Sequence, residues 1–234
     1  MRWVTSSWYR SQIKTPKRYF YFMPTLTDLS PEELLDLALE LPDAGAELER
    51  RYGSVRAILV VDFSAMRART DAFGIVHALS TVRAAFGAYR PAIAAHSGHE
   101  IKTVADTLFA SFDTPNAALA AALDGHRLMA SFNEDRTGNI CTGVPGAPIH
   151  PRTGLGFGSV LALPGNIYGG EVNRAFILAE DVGRDGEILA SNACGVALGA
   201  PPVGVGVHEG PHDRTEEAGF TFQVYTDYRE PESL

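Results

Sequence analysis

The stretch Ala57-Ile58-Leu59-Val60-Val61 is an unbroken apolar run, and the carboxylate of Asp62 follows it at once. Short runs of aliphatic and β-branched residues are typical of strands that are buried on both faces. The run therefore predicts a central strand with Asp62 at its carboxyl-terminal end. A strand buried in this way needs partner strands on both edges and helices over its faces.

Downstream of this strand the sequence alternates helical and extended patterns, which predicts an α/β sandwich with mixed strand order. A long helix is expected over 71–96, kinked or split at Pro91. Its apolar residues recur at three- and four-residue spacing: Phe73, Val76, Leu79, Val82 and Phe86. The next expected elements are a hairpin of strands 100–104 and 107–112, a helix from 113 to about 132, and a loop with at most one short strand over 133–151. They are followed by a glycine-rich strand over 153–163 that another backbone approaches closely, a helix over 171–182, and strands over 187–190 and 220–228.

Upstream of the strand we expect a separate region, 1–52, and a main domain over 53–234. Within the first region, Ser30-Pro31-Glu32-Glu33 is a strong helix start, and a second helix is expected over 43–51. Residues 1–27 carry five basic side chains and no acid, so this arm holds +5 and the rest of the chain −13 of the net charge of −8. The arm is rich in aromatic residues and lacks the apolar run of a secretory signal. We expect an arm docked on the protein surface, or a contact with a membrane or another subunit, and a transit peptide stays open as an alternative.

Composition excludes several classes of protein. The acidic balance disfavours nucleic-acid binding, and no stretch is apolar for long enough to span a membrane. Cys141 and Cys194 form neither a disulfide framework nor a metal-ligand pattern, so we expect reduced thiols and a cytoplasmic location. The segment 208–212 has the letters of a zinc-protease motif, but Gly210-Pro211 at its centre excludes the required helix.

Two carboxylates are expected to meet at one point. Asp62 ends the central strand, and Asp106 stands at the turn of the hairpin. If those strands are neighbours, the two charges converge, and such a pair is costly unless a cation neutralises it. Carboxylate oxygens are the ligands that Mg²⁺ prefers. The placement of the two aspartates therefore indicates a cation site.

Four segments, in this order, resemble the catalytic domain of class III nucleotidyl cyclases. They are Val61-Asp62-Phe63-Ser64, Ile101-Lys102-Thr103-Val104-Ala105-Asp106, Tyr168-Gly169-Gly170-Glu171-Val172-Asn173-Arg174-Ala175 and Gly186-Glu187-Ile188-Leu189. The resemblance covers roughly residues 55–230. It implies a ferredoxin-like mixed sheet with flanking helices, acting as a homodimer with composite active sites.

The resemblance also implies an activity and a set of site residues. The activity is conversion of a nucleoside triphosphate, most simply ATP, to the 3′,5′-cyclic monophosphate and pyrophosphate, with two Mg²⁺ or Mn²⁺ ions. The implied roles are metal binding by Asp62 and Asp106, base selection by Lys102 and Asn166, ribose orientation by Asn173, and further substrate contacts by Phe63 and Ser64.

One departure from that family concerns the transition state. An arginine or lysine is usual four residues after the helix asparagine, and this chain has Ile177 there. Arg174 and Arg67 are the candidates for replacing that charge. The loss of one transition-state cation costs several powers of ten in rate. Three alternatives therefore stay open: a slow cyclase, a cyclase of UTP or CTP, and a nucleotide-binding scaffold without strong activity.

Overall fold

The computed structural model describes residues 25–63, 66–138 and 148–227. The chain forms two compact units, Met1–Gly53 and Ser54–Leu234. Within the described ranges, no helix combines the length and the apolar character needed to cross a membrane. Most of the basic arm, Ser64 and Cys141 lie outside the described residues.

The first unit is a pair of short helices, α1 (Pro31–Ala38) and α2 (Pro42–Tyr52), preceded by a 3₁₀ turn at Leu26–Asp28. The predicted start of α1 is confirmed, because the Ser30 hydroxyl accepts from the amide of Glu33 and the Glu33 carboxylate accepts from the amide of Ser30. The apolar faces of the helices are buried: Leu34, Leu37, Ala44 and Leu48.

The second unit is an eight-stranded mixed sheet covered by helices. Its elements in chain order are β1 (Gly53–Phe63), α3 (Met66–Phe73), α4 (Ile75–Ala95), β2 (His99–Val104), β3 (Thr107–Phe112), α5 (Pro115–Gly138), β4 (Pro151–Leu163), β5 (Asn166–Tyr168), α6 (Gly170–Ile177), a π-helical turn (Leu178–Val182), β6 (Ile188–Ser191), α7 (Asn192–Leu198), β7 (Val205–Glu209), α8 (His212–Ala218) and β8 (Phe222–Asp227). The strand order is β2-β3-β1-β4-β6-β8-β7, and β5 pairs with β4.

β1 is an interior strand that is buried on both faces, as its apolar run predicts. Leu59 and Val61 face the core formed with α4 and α5, whereas Ile58 and Val60 face the core formed with α6. Side chains alternate along a strand, so Asp62 shares the α6 face with Val60. Burial of each of these aliphatic side chains contributes roughly 1.5–3 kcal/mol to folding.

The glycine-rich strand β4 is confirmed as a place of close backbone approach. A β-carbon on Gly154 would overlap the carbonyl oxygen of Ala175, and one on Gly156 would overlap that of Glu171. Both of those carbonyls belong to α6. The glycines therefore let α6 lie directly on the sheet, next to the face that carries Asp62.

The prediction of one helix over 71–96 with an apolar stripe is wrong at its start, because Gly74, with φ of 83°, separates α3 from α4. The expected split at Pro91 does not occur, since α4 continues through it to Ala95, and the alternative of a kink there stays a prediction. The buried stripe of α4 begins at Ala78, which lies about 100° around the helix from Leu79. The expected core residues at the start of the stripe are consequently exposed: Phe73, Val76 and Leu79.

Other differences lie at element ends and in short elements. α5 continues to Gly138 through the start of the predicted loop over 133–151, and residues 139–147 of that loop lie outside the described ranges. The short elements β5, α7, β7 and α8 were not predicted, because each offers too few residues for a periodic pattern. His208 lies on β7 and His212 on α8, so the zinc-protease letters do not share a helix.

The surroundings of His126 predict that the stability of this unit depends on pH. Its Nε2 lies 2.8 Å from the Thr153 hydroxyl, and burial lowers the pKa of the imidazole from 6.5 to about 4. The unfolded chain takes up a proton near pH 6.5, whereas the folded chain does so near pH 4. Stability is therefore expected to fall as the pH drops through this window, by about 1.4 kcal/mol per pH unit from this group.

Urea unfolding between pH 7.5 and 4.5 checks this expectation. His126→Gln should show a shallower loss of stability on acidification than the wild type, and the exposed control His208→Gln should match the wild type. Parallel profiles for wild type and His126→Gln would contradict it.

Candidate active site

The structure brings Asp62 and Asp106 together. β1 pairs antiparallel with β3, which places Asp62 opposite Thr107, the residue next to Asp106. The amide of Phe63 donates to the carbonyl oxygen of Asp106 at 3.1 Å, so the hairpin turn is fixed against the end of β1. The two aspartates thus lie at one end of two neighbouring strands, as the sequence predicts.

The electrostatics around Asp62 suit a cation. Asp62 is only 9% exposed. Burial, and then the negative charge of Asp106, raise the pKa of the Asp62 carboxyl to about 7. A cation between the carboxylates would remove this repulsion, and carboxylate oxygens are the ligands that Mg²⁺ prefers. The described residues include no group of three or more acidic, histidine or cysteine side chains arranged around one metal position, so water and substrate oxygens would complete a coordination shell.

Arg152 is the basic side chain that the structure pairs with Asp62. Its Nη1 lies 3.6 Å from Asp62 Oδ2, and its Nε donates to Asp185 Oδ1 at 2.9 Å. The charge of Arg152 opposes the upward shift of the Asp62 pKa. Arg152 was missed by the sequence analysis, because it precedes the predicted strand and reaches the site only through the pairing of β4 within the sheet.

The π-helical turn after α6 adds a third carboxylate to this end of the sheet. Glu180 accepts a 2.9 Å hydrogen bond from the hydroxyl of Thr107, and its charge contributes to the raised pKa of Asp62. Single π turns inside helices often occur at functional sites. Here the turn directs Glu180 toward the strand end that carries the aspartates.

A bulge in β2 sets the position of Lys102. The register of β2 against β3 shifts between Glu100 and Lys102, so Ile101 is the extra residue. Lys102 lies opposite Phe109, which belongs to the core on the α6 face. Opposed residues of an antiparallel pair share a face, so half-buried Lys102 lies on the same face as Asp62.

Asn166 lies at the other end of the sheet. It lines a cleft of about 400 Å³ together with Arg56, Glu100, Ile101 and Asp113. That cleft adjoins the start of β1, near Ala57. Asp62 lies five residues further along the same strand, which corresponds to about 17 Å. Within one chain the predicted base-selecting Asn166 is therefore far from the predicted metal ligand Asp62.

Comparison with known proteins identifies this architecture. No protein-family model and no curated protein sequence matches the chain. The guanylyl cyclase Cya2 aligns over 78% of this chain and 96% of its own, with a TM-score of 0.60 and 17% identity. The adenylyl cyclase CyaB from P. aeruginosa aligns over 78% of this chain and 97% of its own, with a TM-score of 0.61 and 15% identity. The guanylate cyclase domain of RhGC from Catenaria anguillulae, in complex with GTP, aligns over 75% of this chain and 97% of its own, with a TM-score of 0.58 and 15% identity. The chain has the fold of class III cyclase catalytic domains.

This cyclase fold confirms the predicted fold class, a mixed sheet with flanking helices. Asn173 is exposed on α6, and its ribose contact stays a prediction. Arg174 is held elsewhere: its Nη1 donates to Glu171 at 2.6 Å, and its guanidinium lies 5.6 Å from the Phe220 ring centre. Glu171 is buried and also accepts from the Ser191 hydroxyl. Arg174 thus belongs to a polar cluster beside β6.

The other residues expected at the site differ in what they contact. Ile177 packs against the apolar core that α8 and β8 share, which accounts for an apolar residue at that position. Arg67 is exposed on α3, and no described contact joins it to the two aspartates. The ring of Phe63 is fully buried against Phe86 and Tyr89, so it supports the site from the core. Ser64 lies outside the described residues.

The turn that carries Asp106 contains a strained residue. Ala105 has φ of 52°, a left-handed conformation that costs a residue with a β-carbon about 1 kcal/mol. Ala105→Gly is therefore expected to raise the free energy of unfolding by about 1 kcal/mol. The exposed helical control Ala84→Gly is expected to lower it by about 1 kcal/mol. Urea unfolding measures both changes. A loss of stability in Ala105→Gly would show that the left-handed conformation of Ala105 does not destabilise the fold.

Proposed function

We propose that this protein is a metal-dependent nucleotidyl cyclase that converts a nucleoside triphosphate, with ATP preferred, to the 3′,5′-cyclic monophosphate and pyrophosphate. The observation that carries this proposal is the convergence of Asp62 and Asp106 beside Arg152, on a cyclase fold. Burial and mutual repulsion make this carboxylate pair a poor structural element without a cation. The pair is therefore best explained as a functional site.

The chain's own residues have distinct tasks in this reaction. Asp62 and Asp106 would hold two Mg²⁺ or Mn²⁺ ions, and bound metal would supply polarisation of the 3′-hydroxyl and positive charge for the leaving pyrophosphate. Arg152 is placed to bind triphosphate oxygens, because its guanidinium lies at the same strand end as the aspartates. Asn173 orients the ribose, as the resemblance implies. The apolar Ile177 supplies no charge to the transition state, so a slow turnover is expected.

The active form is proposed to be a homodimer with two composite sites. Asn166 lines the cleft at the start of β1, whereas Asp62 ends that strand, about 17 Å from Ala57, so one chain does not gather both around one nucleotide. A second copy in head-to-tail arrangement supplies the missing half. One subunit then contributes the aspartates and Arg152, and the other contributes Lys102, Asn166 and Asn173.

The proposed base preference rests on Lys102 and Asn166. β2 and β5 pack together, and Asn166 shares its cleft with Ile101, the neighbour of Lys102. The Asn166 amide oxygen accepts from the exocyclic amine of adenine, and Lys102 donates to a ring nitrogen. A buried polar group without a partner costs roughly 1–3 kcal/mol, which corresponds to about ten- to hundredfold discrimination against guanine.

Substitution of Asn166 tests this preference. Asn166→Asp is expected to increase the ratio of ATP to GTP turnover, because a carboxylate only accepts hydrogen bonds. Competition assays with mixed triphosphates measure the ratio directly. A gain of GTP or UTP turnover in this variant, or a wild-type preference for a pyrimidine, would show that the two residues do not select adenine.

A nucleotide-binding scaffold is the competing function, and Ile177 is the observation that favours it. The two functions differ in turnover. A cyclase releases one pyrophosphate for each triphosphate that it consumes in the presence of Mn²⁺, whereas a scaffold binds the nucleotide and returns it unchanged. A coupled pyrophosphate assay distinguishes them, with Asp106→Ala as the inactive control.

A further inference from the structure

The turn before β6 is held firmly in place. The amide of Gly186 donates to the carbonyl of Pro151 at 2.9 Å, and the amide of Thr153 donates to the carbonyl of Glu187 at 2.9 Å. Glu187 is in turn bound by the buried guanidinium of Arg214. These bonds fasten the turn to both sides of Arg152, so Asp185 has a defined position beside that arginine.

Arg152 is shared unequally between its two carboxylates. Its Nε donates to Asp185 at 2.9 Å, which is an ordinary charge-assisted hydrogen bond. Its Nη1 lies 3.6 Å from Asp62, beyond the length of a hydrogen bond. The guanidinium is therefore anchored through Nε at Asp185, while its Nη1 end faces Asp62 only as an ion pair.

We propose that Asp185 is a positioning residue, which holds Arg152 back from Asp62 so that a divalent cation can bind the aspartates while the guanidinium faces the triphosphate. This inference rests on the proposed function for its substrate, but its first consequence concerns the metal alone. Without Asp185, the Asp62 carboxylate is the remaining ion-pair partner of the guanidinium among the described residues, and the guanidinium competes with the cation there.

Mn²⁺ binding to the full-length protein without nucleotide tests the proposal, with free Mn²⁺ measured by electron paramagnetic resonance. Asp185→Asn is expected to weaken binding about two- to fivefold, the range expected for a partly exposed ion pair. Arg152→Ala is expected to strengthen binding, because a competing cation is removed. In the Arg152→Ala background, Asp185→Asn should have almost no further effect.

Matched variants separate positioning from general charge. Asp181→Asn removes an exposed carboxylate of the neighbouring π turn and is expected to leave binding unchanged. Asp185→Glu should restore most of the wild-type affinity. If Asp185→Asn weakens Mn²⁺ binding equally in the wild-type and Arg152→Ala backgrounds, Asp185 acts only through its charge and the proposal is wrong.

Turnover supplies a second readout. At saturating Mn²⁺, Asp185→Asn is expected to raise KM for the triphosphate about two- to fivefold with little change in kcat, because Arg152 is a binding group. A change confined to kcat would overturn the positioning role. If Asp62→Asn leaves Mn²⁺ binding intact, the cation site fails and the inference fails with it. If Asp62→Asn abolishes binding but the Asp185 and Arg152 effects add independently, only the inference fails.

Discussion

Replacing Asp62 with asparagine is expected to reduce cyclisation about a hundred- to a thousandfold, the scale seen when one electrostatic contributor to a transition state is removed. The amide keeps the shape of the side chain but loses the charge that holds the cations. The fold should persist, because burial of an unneutralised carboxylate opposes stability and an amide relieves that cost. Activity with saturating Mn²⁺ and the urea midpoint are the two measurements.

An exposed aspartate serves as the control for the loss of a negative charge at Asp62. Asp213→Asn removes an exposed carboxylate of α8 and is expected to leave activity unchanged. Asp106→Asn is expected to behave like Asp62→Asn. Wild-type turnover in either aspartate variant would exclude the mechanism proposed here.

Mixing two inactive variants is expected to restore activity. Asp106→Ala lacks one half of a composite site, and Asn173→Ala lacks the other half. In a heterodimer, one of the two sites receives both defects and the other receives none. Random exchange of equal amounts makes about half of the dimers heterodimers, so about one quarter of the wild-type activity should return if the sites are shared across a two-fold dimer.

The control for this experiment is the dimer itself. Native mass spectrometry of differently tagged subunits establishes that heterodimers have formed. Two variants with defects in the same half, Asp62→Asn and Asp106→Ala, should restore nothing when mixed. Heterodimers of Asp106→Ala and Asn173→Ala that stay inactive would show that each chain builds its site alone.

The sequence was most informative where a local pattern stands next to a chemical group. The apolar run 57–61 locates the central strand, so Asp62 follows at a predictable place. Asp106 is predictable for a similar reason, since it falls between two short extended runs that form a hairpin. Strand pairing then brings the two carboxylates together without further information.

Long-range pairing limits what the sequence predicts. Arg152 and Asp185 meet because β4 and β6 lie parallel and adjacent, with Thr153 opposite Ile188. Nothing in the local sequence of either residue indicates this partner. Arg174 illustrates the same limit, because its pairing with Glu171 and Phe220 depends on how α6 lies on β4.

Helical patterns also proved ambiguous at α4. Apolar residues recur along 73–86 on more than one face, and only the packing against α5 and the sheet selects the stripe that starts at Ala78. Pro91 lies inside the helix, where propensity predicts a break. Tertiary packing overrides the local preference at that position.

Identification of the reaction product tests the central claim most directly. The wild-type protein is incubated separately with ATP, GTP, CTP and UTP in the presence of Mn²⁺ or Mg²⁺, and the products are identified by mass spectrometry. The account predicts a 3′,5′-cyclic nucleotide, formed fastest from ATP, and its absence with Asp62→Asn. Failure of the folded, dimeric wild-type protein to form a cyclic nucleotide from any of the four triphosphates would contradict it.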